Sequence, residues 1–235
     1  WLPQIVLDER LAVIADIIAP CDCVADIGAD HGRLGCHLLQ QNKVRQVQFL
    51  DISAESLSKS RQLVEKLGLG DRATFSVGDG ARAMQGKADY VVIAGMGGQL
   101  IADIVERGAA NLGDGKLVLQ PNVAQKELRQ RLMQQGYRID QERIVRASGR
   151  LYVVMAASKG AAQYDDRQLL VGPKLLCGKD PNYMAYAERQ LRIVHKALSG
   201  ARAGDAPWLE ELEREHQIWE GIVHGGDSAA DRAAD

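Results

Sequence analysis

Hydrophobic and polar positions change their period along the chain. Residues 8–19, DERLAVIADIIA, place Leu11, Ile14 and Ile17 or Ile18 at helical spacing, and Pro20 ends that helix. From there, short apolar runs alternate with helical patterns. CVADIG predicts a strand, followed by a helix around 33–41. VQFLDIS predicts a second strand, followed by a helix from about 54 to 67 that stops at Gly68. ATFSVGD is a third strand. DYVVIAG is a fourth, followed by a helix around 98–107. KLVLQP is a fifth, followed by a helix around 124–135 that stops at Gly136. YRIDQERIVRA and RLYVVMAAS are two strands joined tightly through Ser148-Gly149. The apolar strands read as buried on both faces, as in a parallel sheet covered by helices.

After residue 158 the chain becomes polar, with turn signals. From Pro181 a helix places Met184, Ala187, Leu191, Val194 and Leu198 on a heptad seam. SGARAGDA predicts a loop, and Pro207 suits the first turn of a next helix. That helix places Leu209, Leu212, His216, Trp219 and Val223 on one face. The fold class expected is α/β. Residues 1–158 form a Rossmann-like class I methyltransferase domain, with a mostly parallel seven-stranded sheet closed by an antiparallel hairpin. Residues 159–224 form a helical hairpin or coiled coil, and 225–235 a disordered tail.

Composition narrows the classes. Hydrophobic residues make up 46% and charged residues 26%, as in a globular protein, and no apolar run approaches the ~20 residues of a membrane helix. No signal peptide is visible in a sequence that begins at Trp1 without a methionine. The four cysteines, Cys21, Cys23, Cys36 and Cys177, read as reduced thiols of a cytoplasmic protein, without zinc spacing. The net charge of −2 hides a gradient. Residues 126–150 carry 7 Lys and Arg against 3 Asp and Glu, residues 151–204 carry 8 against 4, and residues 205–235 carry 2 against 9. A basic stretch beside a neutral domain suits a polyanion such as nucleic acid; a solvated face is the bland alternative.

Loop ends at the carboxyl edge of a parallel sheet should line one crevice. In DIGADHG, Asp26 ends strand one, Gly28 permits a tight turn, and Gly32 opens a helix whose first N–H groups are free. Asp30 stands where dinucleotide loops usually carry glycine. Its carboxylate disfavours pyrophosphate and favours a ligand with a positive centre, such as an amino acid or a sulfonium. The alternative is that Asp30 caps the helix. Asp51, before Ile52 and 23 residues past Gly28, occupies the place of a ribose-binding acid or, alternatively, of a cap. In VGDGA, Asp79 can accept from an adenine amino group, with Gly78 and Gly80 keeping the turn open. In AGMGGQL, Gly95 and Gly97 let backbone close on a ligand, and Met96 packs on a flat base or simply fills space. In LQPN, Gln120 and Asn122 face the same crevice as substrate contacts, unless Asn122 caps the next helix. In order, these signals point to S-adenosylmethionine rather than NAD, and to no metal.

VADIGADHG, GDGARA, IAGMGGQLI and LVLQPN, followed by a hairpin containing GRLYVV, resemble the bacterial tRNA adenine-22 N1-methyltransferases (TrmK-type). The resemblance runs over about residues 5–157 in motif order, and the helical hairpin matches that family's C-terminal extension in kind. It implies S-adenosylmethionine as cofactor and tRNA as substrate, methylated on N1 of an adenine in the D-arm region. The chain departs from the family at Arg33, usually aromatic, at Gly35, often proline, and in the ending FLDIS of its second strand.

N1 of adenine is neutral and carries an in-plane lone pair, so no general base is needed and positioning should supply most of the rate. A carboxylate near the ring would stabilise its developing charge, which makes Asp30 the first catalytic candidate and His31 the second. No [NDS]-P-P-[YFW] tetrapeptide is present, which argues against amino-group methylation. RNA contacts are expected from Arg33 and from Lys126, Arg129, Arg146 and Arg150. Arg189, Arg192 and Lys196 join them, spaced 3 and 4 apart on one helix face. The alternatives are a methyltransferase for ribosomal RNA or a small molecule, and a non-catalytic RNA-binding protein with a vestigial pocket. The heptad seam can pair within one chain or between chains, with a monomer preferred.

Overall fold

The computed structural model describes residues 3–204 and 207–225, and the chain divides into two compact units, residues 1–163 and 164–235. The first unit runs α1 (Glu9–Ile17), β1 (Cys21–Ile27), α2 (Arg33–Gln40), β2 (Val44–Asp51), α3 (Ala54–Lys66), β3 (Ala73–Val77), β4 (Tyr90–Met96), α4 (Gly98–Arg107) and α5 (Ala109–Leu112). It continues with β5 (Lys116–Pro121), α6 (Gln125–Gln134), β6 (Tyr137–Ala147) and β7 (Arg150–Lys159). The seven strands form one sheet in the order β3-β2-β1-β4-β5-β7-β6. β1 to β5 are parallel, and β7 runs antiparallel to both β5 and β6.

Local chemistry places the element ends. The Asp8 side chain accepts from the Leu11 N–H and starts α1; Ser53 does the same for α3 through Ser56. Val91, Val92 and Ile93 of β4 are all fully buried, because helices cover both faces of the sheet. One layer packs Ile14, Leu34, Leu38 and Val64 of α1 to α3 against Val24, Val47, Phe49 and Val92. Each such side chain contributes about 1.5–3 kcal/mol by leaving water. Gly35 has a packing reason. A Cβ there would fall 2.4 Å from the Phe49 ring, which stacks on Phe75 at 5.3 Å. The aromatic ring takes the space that a larger residue on α2 would need.

The second unit holds α7 (Asp166–Val171), α8 (Tyr183–Gly204) and α9 (Leu209–His224). The pairs Tyr186–Trp219, His195–His216 and Arg202–Glu213 run in opposite sequence directions, so α8 and α9 are antiparallel. Three expectations change here. SGARAG stays helical to Gly204, because Ala201 is buried against the partner helix. Pro207 precedes α9 instead of entering its first turn. Met184 is 45% exposed, and Tyr183 and Tyr186 take the buried face, so the heptad seam gives way to an aromatic end with Trp219 edge-on to Tyr186 at 5.9 Å. The expected disordered tail lies, from residue 226, outside the described residues. No helix among the described residues is long and apolar enough to cross a membrane.

Candidate functional site

From β1 the chain winds outward through β2 to β3, then returns to β4 on the other side of β1. The carboxyl ends of β1 and β4 are therefore where the strand order reverses, and a crevice opens there. Its cavity is about 510 Å3. The loop after β1 lines it with Asp26, Gly28, Asp30, His31 and Arg33. The loops after β2 and β3 add Asp51, Ile52, Gly78, Asp79 and Gly80, and β4 adds Gly95 and Met96. Gly32 and Gly97 do not line it; they are the N-caps of α2 and α4, where they shape the turns.

Gly28 sits at φ +71° with the Met96 methyl 2.3 Å from where a Cβ would stand, so the loop can approach β4 only without a side chain. Asp26 is buried, and its carboxylate has no hydrogen bond or ion pair among the described residues. Burial, and secondarily the nearby Asp51, pushes its carboxyl up to about 7. An unpartnered buried acid facing a cavity is the complement of an ammonium or hydroxyl group on a ligand. Asp51 accepts the Ser53 N–H through Oδ1 at 2.8 Å, which leaves Oδ2 for a ligand hydroxyl. Ser53, not Asp51, caps α3. Asp79 is held by Arg107 at 3.0 Å, and Met96, Leu100 and Ile104 supply the apolar wall. This donor set and volume fit S-adenosylmethionine: acids for an amino group and ribose, and an apolar slot for a base.

Asp30 adopts φ 48° and its side chain does not cap α2; instead Oδ2 meets His31 Nδ1 at 2.9 Å, both side chains exposed at the mouth. The backbone carbonyl of Asp30 accepts from Ser60 Oγ at 2.7 Å, which anchors the strained turn to α3. Arg33 donates to the Val6 carbonyl and ties the segment before α1 to the rim.

Several expected contacts need correction. Arg129 is fully buried, with Nε 2.8 Å from Glu142 Oε1, and does not reach a surface where RNA could bind. A charged residue reads as exposed unless its partner is known, and Glu142 lies on β6. Gln120 is fully buried and is no direct substrate contact; it accepts from Arg10 and from the Gly95 N–H. Asn122 does not cap α6, whose N-cap is Ala124; it is exposed beside Met96. Arg131, Arg138 and Arg143 are ion-paired with acids of the domain itself. Arg146 and Arg150 are exposed. Because β6 runs parallel to β5, they sit at the hairpin turn on the crevice edge of the sheet, where α6 also begins with Lys126 in its first turn. Arg192 and Lys196 are exposed and Arg189 half-buried on α8, in the other unit.

Sequence reasoning missed Arg10 and Arg107. Arg10 lines the crevice and lies over the Tyr152 ring at 5.8 Å. It stands beside the apolar stripe of α1, and no local pattern marks it. Burial raises Cys36 to about 12 and Cys21 to about 11, so both are inert thiols. No metal-binding cluster occurs among the described residues.

Comparison with known proteins places these features. Residues 7–155 match a methyltransferase domain family. The chain is 31% identical over 233 residues to a tRNA (adenine(22)-N(1))-methyltransferase of Bacillus subtilis, covering 96% of this chain and 89% of the relative. The crystal structure of the B. subtilis m1A22 tRNA methyltransferase TrmK superposes with a TM-score of 0.85 at 28% identity, over 94% of this chain and 100% of that one. M. capricolum TrmK, solved with the cofactor product S-adenosyl-homocysteine, shares the fold with a TM-score of 0.81 at 23% identity, over 92% and 97%.

Proposed function

The chain belongs to the family of bacterial tRNA (adenine-22 N1)-methyltransferases, and from that premise we propose how its own residues carry out the reaction. It transfers the methyl group of S-adenosylmethionine to N1 of adenine 22 in tRNA. The observation that carries the residue assignment is the buried, unpartnered Asp26 in a cavity that Asp51, Asp79 and an apolar wall also line.

Asp26 holds the amino end of the cofactor, Asp51 its ribose, and Asp79 its adenine amino group, with Ile52 and Met96 against the rings. The bound cofactor supplies an electrophilic methyl on a sulfonium. Methylation leaves a positive charge on the target ring. The Asp30 carboxylate at the mouth stabilises that charge, and its bond to His31 Nδ1 fixes the imidazole so that Nε2 is the free nitrogen. Among the described residues no aromatic side chain other than His31 lines the cavity, so Arg33 offers the flat guanidinium on which an extruded base can rest. Extruding the base takes a few kcal/mol, about the reach of a handful of phosphate contacts. Lys126, Arg146 and Arg150 on the crevice edge, and Arg189, Arg192 and Lys196 on α8, provide them. The antiparallel pairing of α8 with α9 satisfies their apolar faces within one chain, which supports a monomer. The cytoplasmic location we propose follows from the tRNA substrate alone.

The test uses transcribed tRNAs with and without adenine at position 22, and methyl-labelled S-adenosylmethionine, with the product mapped by mass spectrometry. Label on N1 of that adenine is expected. Intact cofactor binding with no label on any tRNA would overturn the substrate.

A further inference from the structure

A relay of three polar groups orients one exposed side chain next to Met96, which lines the crevice. The Gly95 N–H and Arg10 Nη1 both donate to Gln120 Oε1, at 3.0 and 2.7 Å. Two donors on one end of a carboxamide identify that end as the oxygen. The other end, Nε2, lies 3.0 Å from Asn122 and must meet an acceptor, so it meets Oδ1. Gln120 is fully buried and cannot turn over without leaving two donors unpaired. The Asn122 backbone N–H donates to the Met96 carbonyl at 2.8 Å, which pins the residue beside a group that lines the cavity. The Asn122 NH2 group has no partner among the described residues, while its Oδ1 already accepts from Gln120.

We propose that Asn122 is a specificity-determining residue that donates a hydrogen bond to a ring-nitrogen acceptor of the target adenine, N7 or N3; this rests on the function proposed above. The argument is one of donor and acceptor parity. With N1 reserved for the methyl group, adenine still offers two in-plane acceptors, N3 and N7, and one donor, the exocyclic amino group. An amide oxygen beside the crevice would accept from the amino group. The relay uses one lone pair of that oxygen and holds it toward Gln120, so the wholly unpaired end of the amide is the NH2 group, which favours an acceptor edge of the base over its amino edge. Gln120 and Arg10 are positioning residues, which act on the base through Asn122.

The test uses tRNA assembled by ligation with adenosine, 7-deazaadenosine or 3-deazaadenosine at the target position. kcat/KM is measured for the wild-type enzyme and for Asn122→Ala and Asn122→Asp. Losing one neutral hydrogen bond corresponds to about a tenfold drop. One of the two deaza bases should show that drop in the wild type relative to the variants, and both variants should lose about tenfold on ordinary adenosine while ceasing to discriminate. Comparing the ratios cancels any effect of the ring change on N1 itself. Asn122→Ala should keep its affinity for S-adenosylmethionine, measured by calorimetry. Wild type and Asn122→Ala responding alike to both deaza bases overturns the inference while leaving the function standing. A wild-type enzyme that labels no adenine N1 overturns the function and this inference with it.

Discussion

Replacing Asp26 by Asn should stabilise the cofactor-free protein and disable it. Burial, with Asp51 nearby, raises the carboxyl from an ordinary 3.8 to about 7. The sign follows from linkage. A group whose folded pKa lies above its unfolded one contributes stability that is complete below the unfolded value and is lost as pH rises through the folded value. Between about pH 4 and pH 7 the unfolded chain ionises this acid while the folded chain keeps its proton. Each unit of pH in that window removes about 1.4 kcal/mol from the wild type and nothing from the Asn variant. The full shift of about three units corresponds to about 4 kcal/mol, and water in the open crevice reduces it to about 2–4 kcal/mol. About two of those three units lie between pH 5 and pH 8, so at about 2–4 °C per kcal/mol for a domain of this size the variant should melt about 3–11 °C higher, relative to wild type, at pH 8 than at pH 5. Thermal denaturation of both proteins in a buffer series without cofactor measures the gap. A gap that stays flat from pH 5 to pH 8 would refute the assignment of Asp26 as a buried acid held against its preference for a ligand. The same variant should bind S-adenosylmethionine at least about tenfold more weakly, the loss of a charge-assisted hydrogen bond.

Other expectations follow from the same geometry. In the wild type, affinity for S-adenosylmethionine should rise with pH up to about 7 and then level, because the bound cofactor needs Asp26 ionised; calorimetry in two buffers at pH 6.5 should detect proton release on binding. Gly98→Ala should cost about 1–3 kcal/mol in a denaturant titration, because the new methyl would stand 2.3 Å from the Ala124 carbonyl oxygen, a backbone atom. Arg129→Leu should destabilise by about 3–5 kcal/mol, leaving Glu142 buried and short of a partner, without changing the salt dependence of tRNA binding. The double variant Arg146→Ala, Arg150→Ala should do the reverse: an unchanged melting temperature, and a log–log salt slope shallower by about 1.5 in filter binding.

What could be read along the chain was what depends on near neighbours. Strand and helix periods, the stops at Pro20, Gly68 and Gly136, and the order of the glycine and aspartate loop ends are local in origin, because backbone sterics and one-sided burial act over a few residues. Even missed elements left local traces: α7 carries the capping box Asp165 and Gln168 in plain view, too short for a period to register. The reading failed where a residue's meaning depends on a partner distant in sequence. Arg129 looked like a phosphate contact until β6 set Glu142 against it. SGARAG looked like a loop until the packing of Ala201 outweighed two glycines. Gln120 looked like a substrate contact until Arg10, 110 residues away, claimed its oxygen. The sequence by itself determined which elements form and which chemistry gathers at their ends. Tertiary structure alone decided which charges are neutralised, which acid is left buried without a partner, and which end of an amide faces the substrate. Those outcomes are set by through-space pairing in a low-dielectric interior, and no window of the sequence contains both partners.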